Sequence, residues 1–218
     1  MFHLESDQYI PGNILFSDGS SMKTTDGSST LLIAGSATQN DYVEGFGTQA
    51  RFNTIFSFLQ LSAQQGLIAD QWNNCLRSLN RETNQIDRYM GTCAHSGNQE
   101  DNVALLMYPR MLIYDLKNPG HILISELHGN LTSINKTNRN ASYFGTVGPT
   151  VYGIIQSLKT GDFFMTVLQT VGIFSYHTKT FTLIAGSTST GYQDGPFSEV
   201  QFDDPGAHKF LDNHTLLV

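Results

Sequence analysis

The five residues Leu-Ile-Ala-Gly-Ser occur twice in this chain, at Leu32–Ser36 and Leu183–Ser187, and both copies lead into the same kind of tail. The first runs into Asp41-Tyr42-Val43-Glu44-Gly45 and then Gln49-Ala50-Arg51-Phe52. The second runs into Tyr192-Gln193-Asp194-Gly195, then Val200-Gln201-Phe202 and Pro205. An apolar strand ending in Gly, an acidic-Gly turn and an aromatic residue ahead of the next strand make up a whole structural unit. Self-similarity over such a distance signals a repeat array, which limits the chain to architectures built from stacked copies.

Five further segments share one form, apolar residues closing on a small, polar or acidic residue: Asn13–Asp18, Gly66–Asp70, His121–Glu126, Asp162–Thr166 and Asn213–Val218. Most are entered by a turn residue. Alternating strands follow, as in Cys75–Leu79 and Asn130–Ile134. A third strand then closes on Gly at Gln85–Gly91, Ala141–Gly145 and Phe181–Gly186. Equivalent positions recur at intervals of roughly 40 to 56 residues, the range of four-stranded propeller blades, and no segment holds a helical period. The expected fold is all-β, a β-propeller of four-stranded antiparallel blades. About four blades are expected, over approximately 10–52, 53–109, 110–149 and 150–202, with another beginning at 203–218. The first blade is expected to open at its second strand, and the last to stop within one. That makes the chain a single propeller segment of a larger, six-bladed or similar, protein.

Composition fits this reading and removes several functions. Of 218 residues, 39% are hydrophobic and 14% charged, which suits short strands joined by polar turns. The net charge is −7 and no Lys/Arg cluster is present, so nucleic acid is not an expected partner. No run approaches the roughly 18 apolar residues of a membrane span. The N-terminus lacks the basic and apolar regions of a signal peptide.

The segment Gly66–Leu79 carries Ala69-Asp70, Asn73 (or Asn74) and Leu76-Arg77, and Gly91 closes its third strand. Together with the linkers Asp194-Gly195…Phe202…Pro205 and Glu44-Gly45…Phe52, it resembles the NHL-repeat family of β-propellers, in a degenerate extracellular animal-type form. The third unit has Ser125-Glu126 in place of Ala-Asp and the fourth has Met165-Thr166, while Asp101-Asn102 stands for the linker's Asp-Gly in the second. The resemblance implies structural roles for the motif. Asp18 and Asp70 are expected to accept hydrogen bonds from the amides of the following turn. Gly35, Gly91, Gly145 and Gly186 are expected to turn blade corners, Phe52 and Phe202 to plug between blades, and Pro205 to stiffen the entry to the next strand.

Residues of catalytic type do not gather. The seven histidines His3, His95, His121, His128, His177, His208 and His214 form no metal-binding pair and read as surface or turn residues. No nucleophile elbow or phosphate loop is present. Cys75 and Cys93 either bridge two adjacent antiparallel strands of a hairpin centred near Asn84 or are unrelated thiols; the bridge, and an oxidising compartment, is the favoured reading. Four N-glycosylation sequons start at Asn130, Asn135, Asn140 and Asn213. With the cysteines they point to a secreted or cell-surface protein.

The expected function is a non-enzymatic protein- or glycan-binding module without cofactor, metal or catalytic residues. Trp72, Tyr42, Phe46, Tyr192 and Phe197 would be natural anchors wherever exposed. The alternative is a propeller hydrolase or lyase with a metal in a central channel. The predicted innermost strands near Phe56–Gln60, Met111–Asp115 and Val151–Ile155 offer it only Asp115 as an acidic ligand.

Overall fold

A computed structural model describes residues 3–93, 106–187, 189–203, 205–206, 209–210 and 215–217. Asn213, His95, His208, His214 and the Asp101-Asn102 pair lie outside them. Each run of alternating apolar residues forms a strand, and among the described residues the strands assemble into five antiparallel sheets, four of them of blade size. The first holds β1 (Leu4–Ser6), β2 (Ile14–Ser17), β3 (Ser21–Thr25) and β4 (Thr30–Gly35) in sequential order. The second holds β5 (Gly45–Phe46), β6 (Ile55–Gln60), β7 (Gln65–Asp70), β8 (Cys75–Asn80) and β9 (Gln85–Gly91), with β5 added outside β9. The third is β10 (Pro109–Tyr114), β11 (His121–Glu126), β12 (Asn130–Asn135) and β13 (Ala141–Thr146). The fourth is β14 (Val151–Gln156), β15 (Phe163–Val167), β16 (Thr170–Phe174) and β17 (Phe181–Gly186). A two-stranded piece, β18 (Lys209–Phe210) with β19 (Leu216–Leu217), follows. Up-and-down sheets of this order are β-propeller blades. The first sheet opens at β1, ahead of the strand expected to begin it; three residues with a single apolar side chain carry too little pattern to be read.

The chain divides into two compact units, Met1–Leu112 and Ile113–Val218. In the first, Leu15, Met22 and Ala34 of one blade meet Ile55, Phe58, Ile68, Leu79 and Ile86 of the next, with Phe52 fully buried among them. The second is richer in aromatic contacts. Phe163 and Phe174 are fully buried, and Phe144 packs edge-on against Phe163 at 5.8 Å between ring centroids.

In every blade a β-bulge interrupts the last strand pair, after Met22, Leu76, Leu131 and Val171. The observed registers correct three expectations. In the second blade Cys75 faces Gly91 rather than Cys93. Cys93, two residues past the strand end, still reaches back to form the disulfide, with Cα atoms 5.1 Å apart. In the third blade Gly145 faces Leu131 and Thr146 holds the corner, facing Asn130. Gly145 is small for another reason: a Cβ there would lie 2.5 Å from the Phe174 ring. In the fourth blade the position of Asp70 falls on Val167, which faces Val151 as Asp70 faces Ile55, and not on Thr166.

Gly35, Gly91 and Gly186 do turn their corners, at φ of 88°, 98° and 93°. A Cβ at Gly35 would lie 2.3 Å from the Ser20 carbonyl oxygen and 2.9 Å from the Phe52 ring. Gly12 has the same backbone sign, φ 89°, with nothing within 4 Å of the added atom. Gly35→Ala should therefore cost roughly 3 kcal/mol or more and Gly12→Ala only about 1 kcal/mol, measured by urea unfolding. Equal costs would show that backbone conformation alone, and not the crowded corner, fixes Gly35.

Candidate functional site

The motif residues of the second blade converge on one buried ion pair. Arg77 on β8 faces Ile68 on β7, which brings its guanidinium beside Asp70 at the end of β7; both side chains are fully buried and Nη1 stands 3.0 Å from Oδ2. Asp70 does not cap its own turn, as expected of a strand-end Asp. Its carboxylate accepts from the backbone N–H of Asn53 at 2.8 Å and from Nδ2 of Asn73 at 2.9 Å, in addition to Arg77. Arg77 also donates to the carbonyls of Arg51 at 3.2 Å and Val43 at 2.9 Å. Its guanidinium lies 4.5 Å from the Tyr42 ring centroid and 5.4 Å from that of Phe52. Asn73, rather than Asn74, completes the set by donating to the Asp41 carbonyl at 2.9 Å. Asp70, Asn73 and Arg77 thus clamp the preceding linker, residues 41–53, onto the blade. Burial pushes the Asp70 carboxyl up to about 6, against the pull of Asn73, the Asn53 amide and Arg77.

The same register position repeats with falling polarity. Asp18 and Lys23 form the pair in the first blade, half-exposed, with Ser21 donating to Asp18 as well. In the third blade Thr132 donates to Glu126 at 2.7 Å. In the fourth the two positions hold Val167 and Gly172, and the space over Gly172 is filled by Phe181, whose ring a Cβ would meet at 2.3 Å.

What the clamp presents to solvent is a short aromatic loop. A 3-10 turn at Gln71–Asn73 carries Trp72, half-exposed, while its backbone is tied down by Gln71 N–H to the Thr54 carbonyl at 2.9 Å and Trp72 N–H to Asn53 at 3.0 Å. The Trp72 ring meets Tyr108 edge-on at 5.1 Å. Tyr108 N–H donates to Asn74 Oδ1 at 3.0 Å, and Met107 beside it is half-exposed. This rigid, partly apolar surface is the candidate site. Near it the linker forms a polar recess of about 540 Å³ lined by Gln39, Asn40, Asp41 and Arg51. A smaller cleft of about 240 Å³ is lined by Ile10, Leu31, Leu32 and Leu79, with Asp7 paired to Arg81 at its edge.

The remaining sequence candidates are dispersed. Asp115 is buried, accepting from Tyr176 Oη at 3.0 Å and from the amides of Lys117 and Asn118. Among the described residues no three His, Cys, Asp or Glu side chains gather as a metal site, and no helix is long and apolar enough to cross a membrane. His3, expected at the surface, packs edge-on against Phe58 at 4.6 Å, and burial lowers its pKa to about 4. Asn130 is half-buried; Asn135 caps its own hairpin, accepting from Thr137 and Asn138; Asn140 and Ser142 are exposed. Tyr42 is covered by Arg77, whereas Phe46, Tyr192 and Phe197 are exposed. Phe202 is half-buried, Pro205 buried, and Asp194 and Gly195 exposed. The clamp's carbonyl acceptors escaped sequence reading because backbone atoms carry no residue signature.

No family model and no curated protein matches the chain. Solved structures do, at low identity. An auxiliary nutrient-binding protein from Bacteroides thetaiotaomicron is 11% identical with a TM-score of 0.69, over 97% of this chain and 48% of its own. The extracellular domain of a one-component system from the same organism is 13% identical with a TM-score of 0.58, over 86% and 22%. The WD40 β-propeller domain of Doa1 is 15% identical with a TM-score of 0.52, over 81% and 51%. The chain spans about half or less of each of these three, and the likeness establishes the propeller fold.

Because the Asp70 carboxyl is raised above its unfolded value, its contribution to stability is full below about pH 4 and is lost as pH rises through about 6. His3, lowered, contributes in the opposite sense over an overlapping range. Comparison of the native protein with Asp70→Asn cancels His3 and isolates Asp70. The difference in unfolding free energy should shift in favour of the native protein as pH falls from 7 to 5, while Arg77→Ala should cost about 3–5 kcal/mol. A difference moving the other way would place the attraction of Arg77 above the cost of burial.

Proposed function

We propose that this chain is a non-enzymatic binding module of a secreted or cell-surface protein, an NHL-type propeller that recognises a protein or glycan through the loop carrying Trp72 and Tyr108. The observation that carries the reading is a half-exposed tryptophan on a backbone fixed by buried hydrogen bonds. Such a ring offers a large contact face with little ordering left to lose, which suits both side-chain packing and the stacking of sugar rings. The Cys75–Cys93 disulfide suits an oxidising compartment. The nutrient-binding and extracellular descriptions of two structural neighbours support the same direction. The Ala69-Asp70, Asn73 and Arg77 set, acting as a linker clamp, supports the NHL-type reading.

Trp72 is the chain's single tryptophan, so its fluorescence reports on this loop alone. Titration with a glycan panel and with soluble extracellular proteins should give a saturable change in emission. Trp72→Ala should weaken the same interaction by tenfold or more, followed calorimetrically, and leave the melting temperature unchanged. A ligand bound equally well by Trp72→Ala would move the site elsewhere. In a glycosylating host, Asn140 is the described sequon best placed to carry a glycan, its acceptor and hydroxyl residues both exposed. Asn140→Gln should remove a glycan mass that Asn130→Gln leaves in place.

A further inference from the structure

The end of β8 away from Trp72 belongs to a second repeated arrangement, which the two units complete differently. In both, an Asp follows the first strand of a blade and caps its own turn. Asp7 accepts from the amides of Tyr9 and Ile10, and Asp115 from those of Lys117 and Asn118. In both, a Gln of the next blade accepts the amide after that Asp, Gln60 from Gln8 and Gln156 from Leu116. The Asp then meets a side chain just past the next blade's third strand: Arg81 pairs with Asp7, and Tyr176 Oη donates to Asp115. In this register Ile33, the bulged residue of β4, stands for Phe144, the bulged residue of β13. Leu79 stands for Phe174, and Asn84 for Lys179, with the same left-handed backbone at φ of 58° and 59°.

In the second unit the position is filled from within. The Lys179 ammonium lies 3.2 Å from the Phe144 ring centroid and 4.4 Å from that of Tyr176, and Phe144 packs on Phe163 and Tyr176. In the first unit Ile33 and Asn84 are smaller than their counterparts, and Arg81 is drawn aside to Asp7 and Gln60. What remains is the cleft of about 240 Å³, walled by Ile10, Leu15, Leu31, Leu32, Ile33 and Leu79. Both walls are blades of the first unit, and the chain enters β1 at its opposite end, where His3 N–H donates to Ser17.

The lining states what would fit. Aliphatic walls without an aromatic face suit neither a sugar ring nor a cation. At the rim Asp7 and Arg81 satisfy each other, so a carboxylate would meet Asp7 and an ammonium Arg81. The Asn84 side-chain amide lines the cleft, has no hydrogen-bond partner among the described residues, and offers both donors and an acceptor. An apolar cavity of about 150 Å³ takes benzene, so this cleft accommodates a chain of about six to eight carbons. We propose that the cleft between the first two blades binds a neutral medium-chain acyl amide, its aliphatic chain along Leu15, Ile33 and Leu79 and its amide on Asn84. This site is separate from the Trp72 loop and does not rest on the function proposed for it.

The test follows the Leu and Ile methyl resonances of the 218-residue protein during titration with a homologous series from butanamide to octanamide. Octanamide should saturate with a dissociation constant of about 0.1–1 mM and move the methyls of Leu15, Leu31, Ile33 and Leu79. Each methylene of the series should tighten binding about two- to fourfold. Octanoate and octylammonium, of the same length, should each bind about tenfold more weakly or worse. Importing the second unit's filling, as Ile33→Phe with Arg81→Tyr and Asn84→Lys, should abolish binding and leave the Trp72 emission native. Asn84→Gly, at a backbone angle that suits glycine, should keep the fold and weaken octanamide about fivefold. No saturable shift up to about 5 mM octanamide, or affinity independent of chain length, would overturn the proposal. So would equal binding of either charged chain, or undiminished binding by Asn84→Gly or by a natively folded triple variant. Should the triple variant not fold, the chain-length series and Asn84→Gly decide alone.

Discussion

A fully buried guanidinium is costly to take out of water, and a partner carboxylate alone does not repay that cost. Arg77 is held because its neighbourhood supplies more than Asp70: two linker carbonyls and the faces of Tyr42 and Phe52. The arrangement exists only if residues 41–53 run in one particular conformation across β7 and β8. Replacing the pair by apolar side chains of similar volume could leave the blade as stable, but it would remove what selects that path. The Trp72 loop follows from the same selection, because its amides bond to Thr54 and Asn53, and the Asn53 amide in turn bonds to Asp70. Ion pair, linker and exposed aromatic loop are therefore one connected set of hydrogen bonds within the first unit.

The same position in the other blades shows what happens as this polar solution fades. Asp18 and Lys23 keep the charges but sit nearer solvent, where an ion pair contributes little. Glu126 and Thr132 keep a hydrogen bond without a second charge. Val167 and Gly172 keep neither, and the freed volume is taken by the Phe181 ring, while Phe174 fills the space that Gly145 leaves. The second unit thus replaces a directional clamp by edge-to-face aromatic packing, which tolerates variation in geometry that a buried guanidinium does not.

Most strands could be read directly, because a period of two bounded by turn residues survives even in degenerate copies: Gln85–Gly91 and Phe181–Gly186 span β9 and β17 as they stand. The Cys75–Cys93 bridge was legible too, although through an incorrect register. What stayed hidden has three separate physical causes. A bulge falls at the same place in all four blades, yet only in the third does the Gly stand one residue before the corner, because Gly145 makes room for the Phe174 ring and Thr146 takes the corner position. The acceptors that hold Arg77 are backbone carbonyls 26 and 34 residues earlier in the chain, which no side-chain pattern announces. The sequon at Asn135 illustrates a third kind of ambiguity: Asn followed two residues later by Thr is also the chemistry of a hairpin turn, and its Oδ1 is used that way here.

Exposure alone does not single out the Trp72 loop. Leu158, at 84%, and Tyr143, at 71%, show more of their surface to solvent. The distinction lies in how the backbone beneath each is held. Leu158 sits at the tip of a hairpin turn whose backbone bonds run between Ser157, Gly161 and Asp162. Among the described residues only side-chain bonds reach that turn from outside, Lys117 Nζ donating to the Lys159 carbonyl and the Tyr176 N–H to Asp162 Oδ1. Tyr143 projects from the outermost strand of its blade, where one side of the ladder is unpaired. Trp72 instead rests on amide bonds to residues 53 and 54, which the Asp70 carboxylate fixes from below. Binding at an apolar position whose backbone is not already fixed must order the backbone as well as the side chain, at a cost of about 1–2 kcal/mol for each residue fixed. At Trp72 that cost was met when the linker closed over Arg77, so the contact area its ring offers is available to a partner with little deduction.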